Sequence, residues 1–537
     1  MRNIIFSALL LFIPFLADTG PYTTIIYNPP REHPRQLTLE DENRLHSDVM
    51  HFRRRIEENK EDPDNYFNLG LAALSLEKLA TAESAFRVVL ELRPEDGDAH
   101  FNLGLLYARQ EEYEKAIEEF GRTVELDPKR ADAHYNLGKA YQITGRLVDS
   151  IASLVEATTL EPDNPLFQFG RGFTEEELGA LGQAAVSYGN AVTVDPGYVE
   201  AHYAMGRVLF GQRKLEEARE SFRKAIRLDP GFIEAYIQLG VIALSEGKPD
   251  QAIQAYENAL RVDESSVAAL GGLGLSNMRI GEAERAIGFY EKALALDPES
   301  ASLLYNVGTA YFLAQRHEEA LSAFDRAIKS NPGYSEPYLA LGNALNALGR
   351  QGEAVGFLDR FQQLKTIQEE VKEAEDLVLL HPRTAEAHYN LATALTRIGR
   401  YKEAVGEFRI ATDLAPGFVE AYNNLGVTYL QLGEFEKARG AYQQSILLDS
   451  TFVDAYTNLA WLHTRHGENL DRALELADKA LKIAPNSLSY ETKAVVLNAR
   501  GEYRAADEAM REAIRIKPEN AQLLKKWEEI KRDRNGS

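Results

Sequence analysis

Ala99-His100-Phe101-Asn102-Leu103-Gly104-Leu105-Leu106-Tyr107 reads as a helix. Tyr113-Glu114-Lys115-Ala116-Ile117-Glu118-Glu119-Phe120 opens a second, and Leu126-Asp127-Pro128 closes the unit. Working outward, the glycine recurs as Gly70, Gly104, Gly138, Gly172, Gly206, Gly240, Gly274, Gly308 and Gly342, an unbroken ladder of 34-residue steps. A fixed period of this size marks a solenoid or array of small supersecondary units. The alanine of the second helix recurs from Ala82 through Ala116 and Ala184 to Ala506, with Ser150 departing. The closing proline recurs from Pro94 through Pro128 to Pro518, with Glu264 and Ser450 as exceptions. Together these marks predict thirteen units between about Pro63 and Asn520.

Each mark has a physical reason. Gly104 and Ala116 are small where the first helix (A) and the second (B) cross, since side chains at the contact set the helix separation. Gly145, Gly179, Gly247 and their equivalents lie between A and B, where a left-handed C-cap favours glycine. Proline ends helix B because it cannot continue a helix interior. This pattern of small, aromatic and proline positions resembles the tetratricopeptide repeat (TPR). The resemblance covers most of the chain and implies an all-α TPR solenoid: a right-handed superhelix of antiparallel helix pairs, A helices inside, acting as a protein- or peptide-binding scaffold.

Composition narrows the alternatives. Sixty Lys and Arg against 82 Asp and Glu give a net charge of −22, which argues against nucleic acid as a partner. The absence of cysteine excludes disulfides, thiolate metal sites and cysteine nucleophiles. Met1-Arg2-Asn3 precedes an apolar run from Ile4 to Leu16, shorter than the ~20 residues that span a bilayer. A basic start and a short apolar core predict a signal peptide cut after Ala17, hence an exported chain, periplasmic or secreted. Phe15 stands where a second small residue is expected, so an uncleaved N-terminal anchor is the alternative and the one expected route to a membrane.

The expected organisation is a signal segment or anchor over 1–17, a Pro-rich linker over 18–37 and a capping helix over 38–62. Units 1 to 9 follow over 63–368 and units 10 to 13 over 385–520, with a capping helix and tail over 521–537. Pro332 and Pro382 are 50 residues apart rather than 34. The extra 16 residues (369–384) either lengthen helix B of unit 9 or form a helix of their own. A single added residue near His466-Gly467-Glu468-Asn469-Leu470 falls between helices.

No catalytic constellation, cofactor motif or metal-spaced histidine pair is legible, so the chain reads as non-catalytic, without metal or cofactor. His100, His134, His202 and His388 occupy one position that Tyr66, Tyr236, Tyr338, Tyr422 and Tyr456 fill elsewhere, which makes them packing residues. The asparagines are the candidates for binding. Asn68, Asn102, Asn136, Asn306, Asn390, Asn424 and Asn458 share a position of helix A that lies off the packing stripe. A side-chain amide donates and accepts, so it can pair with the backbone of an extended peptide. The series resembles the asparagine ladder in the TPR arm of O-linked N-acetylglucosamine transferases, which holds extended peptide. The plainer alternative is that Asn belongs to the repeat consensus. Gly170, Ala204, Gln238, Gly272 and Ala340 interrupt the series, splitting it into an N-terminal and a C-terminal stretch. Arg109, Lys139, Arg207, Arg279, Arg397 and Arg465, further along helix A, are candidates for gripping acidic groups. Phe67, Phe101, Tyr135, Phe169, Tyr203, Tyr305 and Tyr389 either stack on a ligand or pack between helices. The carboxylate clamp of chaperone-tail binders does not map, because its lysines are missing. A structural or assembly component of the cell envelope, joined to copies of itself, is the rival reading.

Overall fold

A computed structural model describes residues 39–467 and 469–536. The expected signal segment and the whole of the Pro-rich linker lie outside them. The described residues form 28 α-helices and no strand. Helix α1 (Leu39–Glu58) is followed by thirteen A–B pairs, from α2 (Pro63–Ser75) with α3 (Leu79–Leu92) to α26 (Ser487–Ala499) with α27 (Tyr503–Ile516). Helix α28 (Ala521–Gly536) closes the array. None of the described helices is long and apolar enough to cross a membrane.

The chain punctuates itself locally. Every A–B turn contains a left-handed residue. In nine units it is glycine, including Gly145, Gly247 and Gly433; in the other four it is Glu77, Glu111, Arg213 or Gln315. The turn of unit 12 holds a second, Asn469, after Gly467. At the B-to-A turns, the acid or amide before the proline position folds back on the chain. Asp127, Asp195, Asp229, Asp263, Asn331 and Asp449 each accept the N–H two residues on, at 2.8 to 3.1 Å. This Asx turn explains the recurring Leu-Asp-Pro.

In eight of the thirteen pairs the A-helix glycine faces an aromatic of helix B rather than the alanine, and Gly138 and Gly342 face Leu154 and Leu358. A Cβ on Gly104 would lie 2.7 Å from the Phe120 ring, and one on Gly206 or Gly426 would lie 2.6 Å from Phe222 or Tyr442. Glycine therefore lets the ring lie flat on the A backbone, while Ala116 and its equivalents are fully buried.

The described chain falls into two compact bodies, one ending at Asp297 and one starting at Pro298. The first holds α1 and seven pairs, the second six pairs and α28. In the first body each A helix touches the next A helix, whereas successive B helices do not meet. The A layer is thus the tighter-spaced side, and its exposed positions form the concave face. The second body follows the same rule with one exception. Helix α18 (Ser335–Ala347) and α20 (Ala385–Arg397) are successive A helices that do not pack side by side.

The exception comes from α19 (Gln351–Leu380), a single helix of 30 residues. Its first half pairs with α18, with Ala354 buried and Leu358 against Gly342. Its second half carries α20 on Val371 and Ala374. The two A helices meet end to end along it. Gln368 bonds to Ser335 at 3.2 Å, Arg397 pairs with Glu370, and Gly333 abuts the carbonyl of Ile398.

Candidate peptide-binding face

The A-helix face is built from a few side chains per unit, and the two asparagine stretches differ. In the N-terminal stretch Asn68, Asn102 and Asn136 each donate Nδ2–H to the carbonyl four residues back, at Asp64, Asp98 and Asp132, all at 2.8 Å. Each amide is anchored on its own helix. The acids beside them are held by the B-to-A turn that follows, Asp64 by Arg93 and Asp98 by Arg130 at 2.7 Å.

The C-terminal amides bond across helices instead. Asn458 donates to Asn423 Oδ1 at 2.9 Å, Asn423 to Asn424 Oδ1 at 3.3 Å, and Asn424 to the Tyr389 hydroxyl at 3.0 Å. One chain of polar groups thereby crosses three successive A helices, α20, α22 (Val419–Gln431) and α24 (Val453–Arg465). Beyond it, Trp461 donates its indole N–H to Thr492 at 3.1 Å, and the ammonium of Lys526 lies 4.4 Å from the Trp461 ring while pairing with Glu491 at 2.5 Å. Asn390 is exposed and Asn306 half-buried.

Asn423 was not among the sequence candidates. It sits one residue before the ladder position, where other units carry an aromatic such as Tyr135 or Tyr203. The doubled Asn423-Asn424 was the available signal.

The cationic candidates divide. Arg109 is exposed and reaches the Leu74 carbonyl at 3.4 Å, in the last turn of the preceding A helix. Lys139 lies 5.7 Å from the Tyr135 ring, and burial lowers its pKa. Arg207 pairs with Glu176, which also accepts the Tyr188 hydroxyl at 2.9 Å. Five of the seven aromatic candidates are core, while Phe67 and Tyr389 are half-buried. Phe101 lies 5.7 Å from Phe120, Tyr203 lies 5.6 Å from Phe222, and Tyr135 stacks on Phe167 at 4.8 Å.

The histidines brace the turn before helix A. Nε2 of His100, His134, His202 and His388 lies 3.0 to 3.1 Å from the carbonyl of the proline six residues back. Tyr338 does the same with its hydroxyl at 3.1 Å, and Gln168 with its amide at 3.0 Å. In His100 and His388 the second nitrogen meets a carboxylate, Glu119 or Glu407, at 2.6 Å. Among the described residues no cluster of His, Cys, Asp and Glu could hold a metal ion.

Models of the tetratricopeptide repeat match residues 67–131, 109–165, 237–301, 290–335, 305–366 and 371–417, and further ones match 199–232, 419–452 and 489–520. Similar solved structures include YrrB, described as a TPR protein with an unusual peptide-binding site. It is 27% identical over 34% of this chain and 95% of its own, with a TM-score of 0.32. A tetratricopeptide repeat protein from Parabacteroides merdae is 17% identical over 46% of this chain and 98% of its own, with a TM-score of 0.39. The APC/C hetero-tetramer Cut9–Hcn1 is 14% identical over 89% of this chain and 98% of its own, with a TM-score of 0.33. A comparison with curated proteins gives no match.

Proposed function

Since the chain belongs to the tetratricopeptide repeat family, whose fold generally serves as a non-catalytic protein-binding scaffold, we propose that it holds an extended peptide on its A-helix face. The observation that carries this reading is the amide chain Asn458–Asn423–Asn424–Tyr389. Amides and hydroxyls aligned across successive helices present donors and acceptors that suit a peptide backbone of any sequence. Neighbouring helices are ~8–10 Å apart and an extended chain advances ~3.3 Å per residue, so each unit engages about every third peptide residue. The N-terminal stretch, Asn68, Asn102 and Asn136, offers a second run of the same chemistry.

The test uses arrayed extended peptides and two triple variants, Asn68→Ala/Asn102→Ala/Asn136→Ala and Asn390→Ala/Asn424→Ala/Asn458→Ala. Loss of peptide binding on the C-terminal triple, with helicity retained by circular dichroism, is the expected outcome. Unchanged affinity in both triples would remove the A face from the mechanism. The same proposal sets the scaffold outside the cytoplasm, on the strength of Met1 to Ala17. N-terminal sequencing of the native protein checks this: a start near Asp18 is expected, and an intact Met1 in the soluble cytoplasmic fraction would refute it.

A further inference from the structure

We infer that unit 9 carries a second, separate binding surface: a vacant helix seat that receives an amphipathic α-helix from a partner. Outside unit 9, every A–B pair followed by another in the same body is covered on its C-terminal side by the next A helix, and the last pair is covered by α28. In unit 9 the extended α19 carries α20 away along its axis. Sixteen residues at ~1.5 Å per residue displace it by about 24 Å, slightly more than the length of a 13-residue A helix. Among the described residues, α18 packs only on α19 and on the two helices before it, and α19 only on α18 and α20. The side of unit 9 that α20 would have covered is left open.

The side chains lining that side register the vacancy. At the register of Phe361, other units carry Ala225, Ala259, Ala327, Ala411 and Ala513, each with 0% exposure. Phe361 is half-exposed. Leu358 holds the register of Phe120, Phe222 and Phe408, which are at most 1% exposed, yet it too is half-exposed. Phe357 and Leu339 complete a half-exposed apolar strip on the two helices.

The rest of the chain states what covers such a strip. Elsewhere within a body it is an amphipathic A helix of 13 residues, typically with an aromatic-Leu-small stripe, as Phe101, Leu103 and Gly104 in Gly97–Arg109. Phe361 is larger than the alanine it replaces, so the guest helix must set a small residue against it or ride further out. The guest comes from another molecule, because the chain's own next A helix is already seated on Val371 and Ala374. An apolar helix-in-groove contact of this kind differs from backbone capture of an extended peptide, and the two surfaces can be tested apart.

The probe is a fluorescent, hydrocarbon-stapled helix with the sequence of Ala385–Arg397, since an isolated helix of this length is marginal in water. Binding to the full chain is read by polarisation. Saturable binding is expected, weakened at least about tenfold by Phe361→Glu and retained by Phe361→Ala. A second variant removes residues 365–380 in the Phe361→Ala background. This restores the 34-residue step, joins Leu364 directly to His381-Pro382 in the pattern of Leu126-Asp127-Pro128, and seats the chain's own A helix in the vacancy. Probe binding should then vanish with helicity preserved. Should the deletion not fold, Phe361→Glu against Phe361→Ala decides alone. Equal binding by wild type and Phe361→Glu, or binding that persists in a folded deletion variant, overturns the proposal. So does a dimer of the free chain, seen by sedimentation and broken by Phe361→Glu, which would assign the seat to a second copy.

Discussion

His100 and His202 occupy the same position in their units, yet their surroundings act in opposite senses. The Glu119 hydrogen bond raises His100 above the usual histidine value of 6.5, whereas burial lowers His202 below it. A raised histidine contributes stability below the unfolded pKa and loses it as pH rises through the folded one. For a lowered histidine the stability is complete above about 6.5 and fades as pH falls through the folded value. Ring titration by NMR should therefore place the His100 midpoint above 6.5 and the His202 midpoint below it, with Glu119→Gln bringing His100 down. Coincident midpoints would refute the pairing. The left-handed turns give a second prediction. Glu77, Glu111, Arg213 and Gln315 hold φ between 55° and 62° with nothing but their side-chain identity against it. Replacing Glu111 by Gly removes a strain of ~1–2 kcal/mol and adds ~0.5–1 kcal/mol of backbone entropy cost. A net gain of several tenths of a kcal/mol, read as a higher denaturation midpoint at unchanged slope, is expected.

At the scale of the element, α19 is the one helix whose neighbours are set by its length. The contact between Gly333 and Ile398 holds α18 and α20 end to end, and a Cβ there would sit 1.9 Å from a backbone oxygen. Backbone on both sides leaves no flexible atom to move, so Gly333→Ala should destabilise the second body by ~1–3 kcal/mol. The matched Gly231→Ala, whose nearest neighbour is its own turn's Asp229 at 3.2 Å, should be much milder. Equal effects would mean that the two helix ends do not bear on each other. The asparagine stretches separate in the same way. Ala replacement in the N-terminal stretch removes bonds within one helix and should stay within about 0.5 kcal/mol. In the C-terminal stretch it strips partners from half-buried Tyr389 and buried Asn423 and should cost ~1–3 kcal/mol.

At the scale of the whole molecule, contacts among the described residues of each body join only near neighbours along the chain. Stability should then be close to a sum over pairs and interfaces rather than one cooperative quantity. Removing α28 uncovers the surface that buries Leu523 and Ile530, next to Leu497 and Met510. Truncation after Asn520 should lower the melting temperature and promote association, while each further whole unit removed lowers stability in a small step. A single sharp collapse on removing one unit would refute the additive description.

The sequence by itself determined the repeat. Helix A, its left-handed turn, helix B and the proline stop are settled within 34 residues by propensity, capping and glycine–aromatic contact, so one period suffices to read them. The four turns whose left-handed residue is not glycine escaped that reading, because Glu, Arg and Gln carry no turn signal. The histidines were legible as packing residues, but their bond to a carbonyl six residues back was not. Only the tertiary structure decided which amides bond to each other and where the array has a gap. Asn458 finds Asn423 at a sequence distance of 35, a pairing fixed by the separation and rotation of two packed helices. Likewise α20 leaves unit 9 uncovered because sixteen extra residues prolong a helix instead of turning back, and where a rigid helix delivers the chain is a matter of three dimensions.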